Sequence, residues 1–122
     1  MNKKEYCIAE NLNIGFSYPK EYIEFLSVKK ELEITSWWLL GDAEGAFEIS
    51  YEILNLIYQS KKLLIPFAKS DQSNILACFD FEHKVWLTSC EEDDVSNANW
   101  ENRYFFKDFS EWKDWVLIEK EG

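Results

Sequence analysis

The chain has 122 residues, enough for one domain with its own core, and it is 17% aromatic with only four glycines and two prolines, which excludes a disordered segment. Thirteen basic residues face 23 acidic ones for a net charge of -10, so nucleic acid, whose phosphates would be repelled, is excluded as a partner class. No apolar run reaches the ~18 residues of a membrane span, and the start, MNKKEYCIAENLN, lacks the apolar centre of a signal peptide. The cysteines Cys7, Cys78 and Cys90 form no CxxC pair, which fits a reducing compartment, so a cytoplasmic location is expected and a membrane partner is not.

Residues 17–26, SYPKEYIEFL, put Pro19 in a first turn and Tyr22, Phe25 and Leu26 at i, i+3 and i+4, which predicts a short helix with one face on a core. SWWLL, from Ser36 to Leu40, and AFEIS, from Ala46 to Ser50, read as two strands paired across GDAEG in a hairpin. Ile53, Leu56 and Ile57, with Ile49 one turn earlier, predict a helix of about three turns between Ser50 and Lys62. Lys61 and Lys62 suit its C-terminal end.

LLIPFA is the next strand, in which Pro66 requires an edge, a bulge or a strand end. From Ile75 to Phe81 the residues alternate, with Ile75, Ala77, Phe79 and Phe81 on one face and Leu76, Cys78 and Asp80 on the other. Glu82 to Lys84 turn the chain, and Val85 to Ser89 return beside it. The segment 91–103, EEDDVSNANWENR, reads as a long polar loop, functional or mobile. Asp108 and Glu111 then come close to a capping box ahead of Phe109, Trp112 and Val116 at helical spacing, so a C-terminal helix closes the chain. The expected architecture is α+β: one domain, residues 1–122, with a mostly antiparallel sheet and helices packed on one side.

Little here points to catalysis. Cys78 would need a base, and the sole histidine, His83, lies at the hairpin tip, roughly 16 Å away at ~3.3 Å per residue. Cys78 therefore reads as core, since a free cysteine packs like a small hydrophobe. One histidine without a thiol pair builds no zinc site. Asp93, Val95, Asn97 and Asn99 echo alternate calcium-loop positions, but Val95 has no side-chain oxygen and the turn glycine is missing. GDAEG has neither phosphate-loop spacing, so no nucleotide, metal or other cofactor is expected.

The charge is uneven: residues 63–102 hold two basic and eight acidic residues. A hairpin turning at Glu82 to Lys84 sets Asp71 and Glu91, Glu92, Asp93 and Asp94 on one edge of the sheet. If the following loop folds back over that edge, Trp100 and Glu101 join it, placing an aromatic anchor beside acids that would steer a basic protein.

The chain resembles the SUKH superfamily, in its Smi/Knr branch, from about Ser17 to Val116. The matching residues are Pro19-x-Glu21-Tyr22-x-x-Phe25-Leu26, Trp38-Leu39-Leu40, Ile65-Pro66-Phe67-Ala68 followed by Cys78-Phe79-Asp80, then Trp100-Glu101, and Phe109 with Trp112. Ser27-Val28-Lys29-Lys30 stand where the family commonly places Asn-Gly-Gly, and Ser70 to Asn74 replace its usual Gly/Asp turn. The resemblance implies an α+β domain without a catalytic centre, often an immunity protein that binds and neutralises a cognate toxin, frequently a nuclease. The expected function is therefore toxin neutralisation through an acidic surface, with Asp71, Glu91, Glu92, Asp93, Asp94, Trp100 and Glu101 as the contact edge and a basic protein toxin as partner. An intracellular regulatory scaffold of the same fold, recognising a different partner through exposed aromatics, is the alternative, and a small hydrolase using acids or Cys78 is a third reading.

Overall fold

Local chemistry places the first helix where the sequence predicts it. The computed structural model describes residues 3–96 and 99–121. Pro19, with φ -66° and ψ 149°, stands just before helix α1 (Lys20–Phe25), whose inner residues Tyr22 and Phe25 are buried together with Leu26. A proline is tolerated there because the amide it lacks would have no partner in a first turn.

Five antiparallel strands pair in chain order: β1 (Trp37–Leu39), β2 (Ile65–Ser70), β3 (Ile75–Phe79), β4 (Val85–Ser89) and β5 (Phe105–Phe106). The β3–β4 hairpin has the expected register, from Ile75 opposite Ser89 to Phe79 opposite Val85. Pro66 lies in an interior strand, and the β2–β3 register shifts between Pro66 and Ala68. That bulge absorbs the missing donor and re-aims Phe67, whose ring stacks on Phe79 with centroids 4.2 Å apart.

AFEIS does not pair with β1. The 3-10 turn Leu40–Asp42 ends the strand, and Ala46–Tyr51 form helix α2, which runs directly into a π-helix, Glu52–Ile57. Gly45 precedes α2 at φ 80°, a left-handed conformation that suits glycine, and Phe47 stacks on Tyr51 at the helical i, i+4 spacing. Five residues that alternate for a strand also fit a helix turn, and the glycine turned the chain into the helix. Gly41 is fixed by proximity, since a Cβ there would collide with the Tyr6 ring.

Register separates the two faces of the sheet. Trp37, Phe67 and Phe79 meet α1 and the C-terminal helix α4 (Phe109–Glu121): Phe79 lies 5.5 Å from Tyr22 and 6.2 Å from Phe109, and Phe67 lies 5.0 Å from Trp112, between ring centroids. α4 starts as its sequence directs. Asp108 accepts from the Glu111 amide at 2.9 Å, while Glu111 reaches back to accept from the Lys107 amide at 3.1 Å. Leu76, Cys78, Trp86 and Thr88 point to the opposite face, against which residues 94–96 and 100–103 lie. The segment 91–103 is more ordered than a plain loop: it contains helix α3 (Glu92–Ser96) and a 3-10 turn, Trp100–Asn102. Among the described residues, no helix is long and apolar enough to cross a membrane.

Candidate functional site

The turn after β2 and the end of β4 lie at the same end of the sheet. The Cys90 amide donates to the Asn74 carbonyl at 3.3 Å, and the Asp71 amide donates to Ser36 beside β1. Asp71, Glu91, Glu92 and Asp93 are therefore brought together at this end, all exposed. Glu92, Asp93 and Asp94 form the first turn of α3, where carboxylates are favoured by the positive end of the helix dipole.

Asp94 turns inward. Its two carboxylate oxygens share the Arg103 Nη2 donor at 2.7 and 2.8 Å, with Nη1 donating to the Asp94 carbonyl at 3.1 Å, and they also accept from the Thr88 hydroxyl at 2.9 Å and the Ser89 amide at 2.7 Å. β5 pairs with Val85 and Trp86, so among the described residues the outer edge of β4 beyond them has no strand partner, and Asp94 supplies the acceptor for Ser89. Partial burial alone would raise the Asp94 pKa, but the Ser89, Thr88 and Arg103 bonds outweigh it and hold the carboxyl below its ordinary value. Asp94 thus serves as a clamp within the chain.

Trp100 does not offer an exposed anchor. It is 8% exposed, packs edge-on against Trp86 at 5.5 Å, and lies beneath the Arg103 guanidinium, 4.8 Å from the ring centre. Glu101 is exposed but lies along a groove of about 260 Å³ shared with Lys62, Lys84, Trp86 and Phe105, near the hairpin-tip end of the sheet. The segment runs down the face instead of folding over the acidic end, so Trp100 and Glu101 do not join Asp71. Asn97, one of the calcium-like positions, lies outside the described residues.

Sequence reasoning missed Arg103, the residue that decides this path. It is the chain's sole arginine, and its place nine residues after Asp94, in the most acidic stretch, was the available signal. A second, shallower groove of about 500 Å³ runs beside the clamp, between Glu91 and Leu87.

The residues weighed for chemistry are set apart. Cys78 is fully buried, and burial pushes its thiol pKa well up, the opposite of what a nucleophile needs. His83 belongs to the other face: its Nε2 donates to the Ser17 carbonyl at 2.7 Å, and its ring packs against Phe16. Asp80 is also buried, but it closes the hairpin turn by accepting from the Glu82 and Lys84 amides and from the Trp86 indole at 2.8 Å. Among the described residues, no group of three or more His, Cys, Asp or Glu is placed to hold a metal ion.

No protein-family model matches the chain, and no curated protein or solved structure matches it significantly.

Proposed function

We propose that this protein is an immunity-type binder that neutralises a basic protein toxin in the cytoplasm, acting by occupancy and not by catalysis. One observation carries the reading: Asp71, Glu91, Glu92 and Asp93 stand exposed at one end of a rigid sheet. Like charges held together repel one another, and this cost is offset when a basic partner docks, with faster encounter as the kinetic sign. The toxin-directed part rests on the resemblance to the SUKH superfamily. Asp94 and Arg103 hold the platform, and Asp71, Glu91, Glu92 and Asp93 meet the partner.

The test begins with a pull-down from a strain carrying the neighbouring genes. The association rate of the captured toxin is then measured against salt for the wild type and for E91Q/E92Q/D93N. Slower association with a flatter salt dependence is expected, whereas unchanged kinetics would remove this site. A regulatory scaffold binding a non-toxin protein is the second reading, favoured by Tyr104, 69% exposed, and Phe81, 48% exposed. A toxin gene directly upstream separates the first reading from the second.

A further inference from the structure

The helix Ala46–Tyr51 and its π-helical continuation Glu52–Ile57 carry an apolar stripe that nothing in the described chain covers. Ile49, Leu56 and Ile57 are 61%, 62% and 60% exposed, and Ile53 between them is half-buried. Helical periodicity sets them on one stripe, opposite the one that carries the buried Phe47 and Leu54. Leu54 is fully buried, and Asn55 is pinned inward: its side chain donates to the Leu64 carbonyl at 2.8 Å and accepts from the Leu64 amide at 3.0 Å. The Tyr58 amide then closes a wide turn on the Ile53 carbonyl at 2.9 Å. With positions 54 and 55 fixed inside, Leu56 and Ile57 are held outside on a rigid element, so little ordering remains to oppose a contact there.

Charge around the stripe selects its occupant. Glu48 and Glu52, both exposed, lie on the same helix, and a cleft of about 440 Å³ at its start is lined by Glu5, Asp42, Glu44 and Glu48. Of these, Asp42 already holds Lys29 at 3.0 Å, leaving the three glutamates to set the local potential. Lys61 is the exposed cation just past the far end. A second copy of the chain would bring the same glutamates and the same net charge of -10 to the contact. Anionic lipid would be repelled for the same reason.

We infer that this face is a docking surface for a basic amphipathic helix of a partner protein, whose apolar side lies on Ile49, Ile53, Leu56 and Ile57 while its basic side meets Glu44, Glu48 and Glu52. The inference rests on the reading of the protein as a binder of basic proteins, but it uses a surface separate from the Asp71 and Glu91 end.

The probe is a synthetic amphipathic helix with leucines on one side and lysines on the other, with a control peptide carrying glutamates in place of the lysines. Titrated into the full-length protein and followed by amide NMR shifts, the leucine–lysine peptide should bind with shifts centred on residues 46–57, and the control should not. I49S/L56S/I57S should weaken binding at least about thirtyfold, the loss of a hot-spot cluster. E48K/E52K, which removes no apolar contact, should weaken it as well, while E91Q/E92Q/D93N should change it only slightly. Shifts centred on the Glu91 end, with the serine variant unaffected, would overturn the helix-face inference and leave the acidic-end reading standing. Equal binding of both peptides, absence of binding, partition to zwitterionic vesicles without peptide binding, or a dimer abolished by I49S/L56S/I57S would also overturn it.

Discussion

The two faces of the sheet are held by different forces. On one, Phe67, Phe79, Tyr22, Phe109 and Trp112 interlock as rings, and their stabilisation follows buried area and packing. On the other, directional groups do more: Asp94 bonds Arg103, Thr88 and Ser89, and Asp80 bonds the Trp86 indole within the hairpin. The Lys62 ammonium, 3.8 Å from Asp80, also lies 4.9 Å over the Trp86 ring. The first kind of contact involves no charge, whereas the second includes the Asp94 carboxylate, held below its ordinary pKa by its partners. The acids proposed to meet a partner sit on the second kind, so the platform that presents them can be loosened without dissolving the core.

Removing one ring from the aromatic face breaks the comparison hardest. Phe79→Ala, at a fully buried position, should cost about 3–5 kcal/mol, read as a lower denaturant midpoint. The loss should be the same at pH 7 and pH 4.

Breaking the clamp should cost less and depend on pH. Asp94→Ala strands the Ser89 amide and the Arg103 guanidinium, a loss of about 2 kcal/mol at pH 7. Because the folded pKa of Asp94 is depressed, its contribution is fully present above the unfolded value of about 4 and disappears as pH falls through the lower folded value. The gap between wild type and Asp94→Ala should therefore narrow below about pH 4 in urea titrations, and a gap that stays constant with pH would contradict the clamp. Gly45→Ala tests the turn into α2. With open space around the Cβ position, only the left-handed φ opposes it, so a cost of about 1 kcal/mol is expected in thermal melts. The smallest effect belongs to E91Q/E92Q/D93N, which should leave stability within about 0.5 kcal/mol, measured by the same melts, because these side chains are exposed.

How much of this was legible beforehand varies with the reach of the forces involved. Pro19 with Tyr22, Phe25 and Leu26, the alternation from Ile75 to Phe79, and the Asp108 and Glu111 cap each act within a few residues, and each produced the element expected of it. Even the acidic end was readable, because a tight hairpin forces Asp71 and Glu91 to the same side. Cys78 as core followed from its neighbours in β3.

What the linear order left undecided was settled in the folded chain. AFEIS satisfies strand and helix periods alike over so few residues, and Gly45 with the Phe47–Tyr51 stack resolved it. Ile49, Ile53, Leu56 and Ile57 share a core-like spacing, yet the opposite stripe, with Phe47 and Leu54, is the buried one, and Asn55 bonds Leu64 across the chain. Trp100 packs on Trp86 instead of joining the exposed acids, beneath the Arg103 guanidinium that also holds Asp94. The first was settled within a few residues by backbone conformation and an i, i+4 stack, the other two by polar and aromatic contacts beyond the local pattern, since burying an unpaired donor or charge costs more than exposing one apolar side chain.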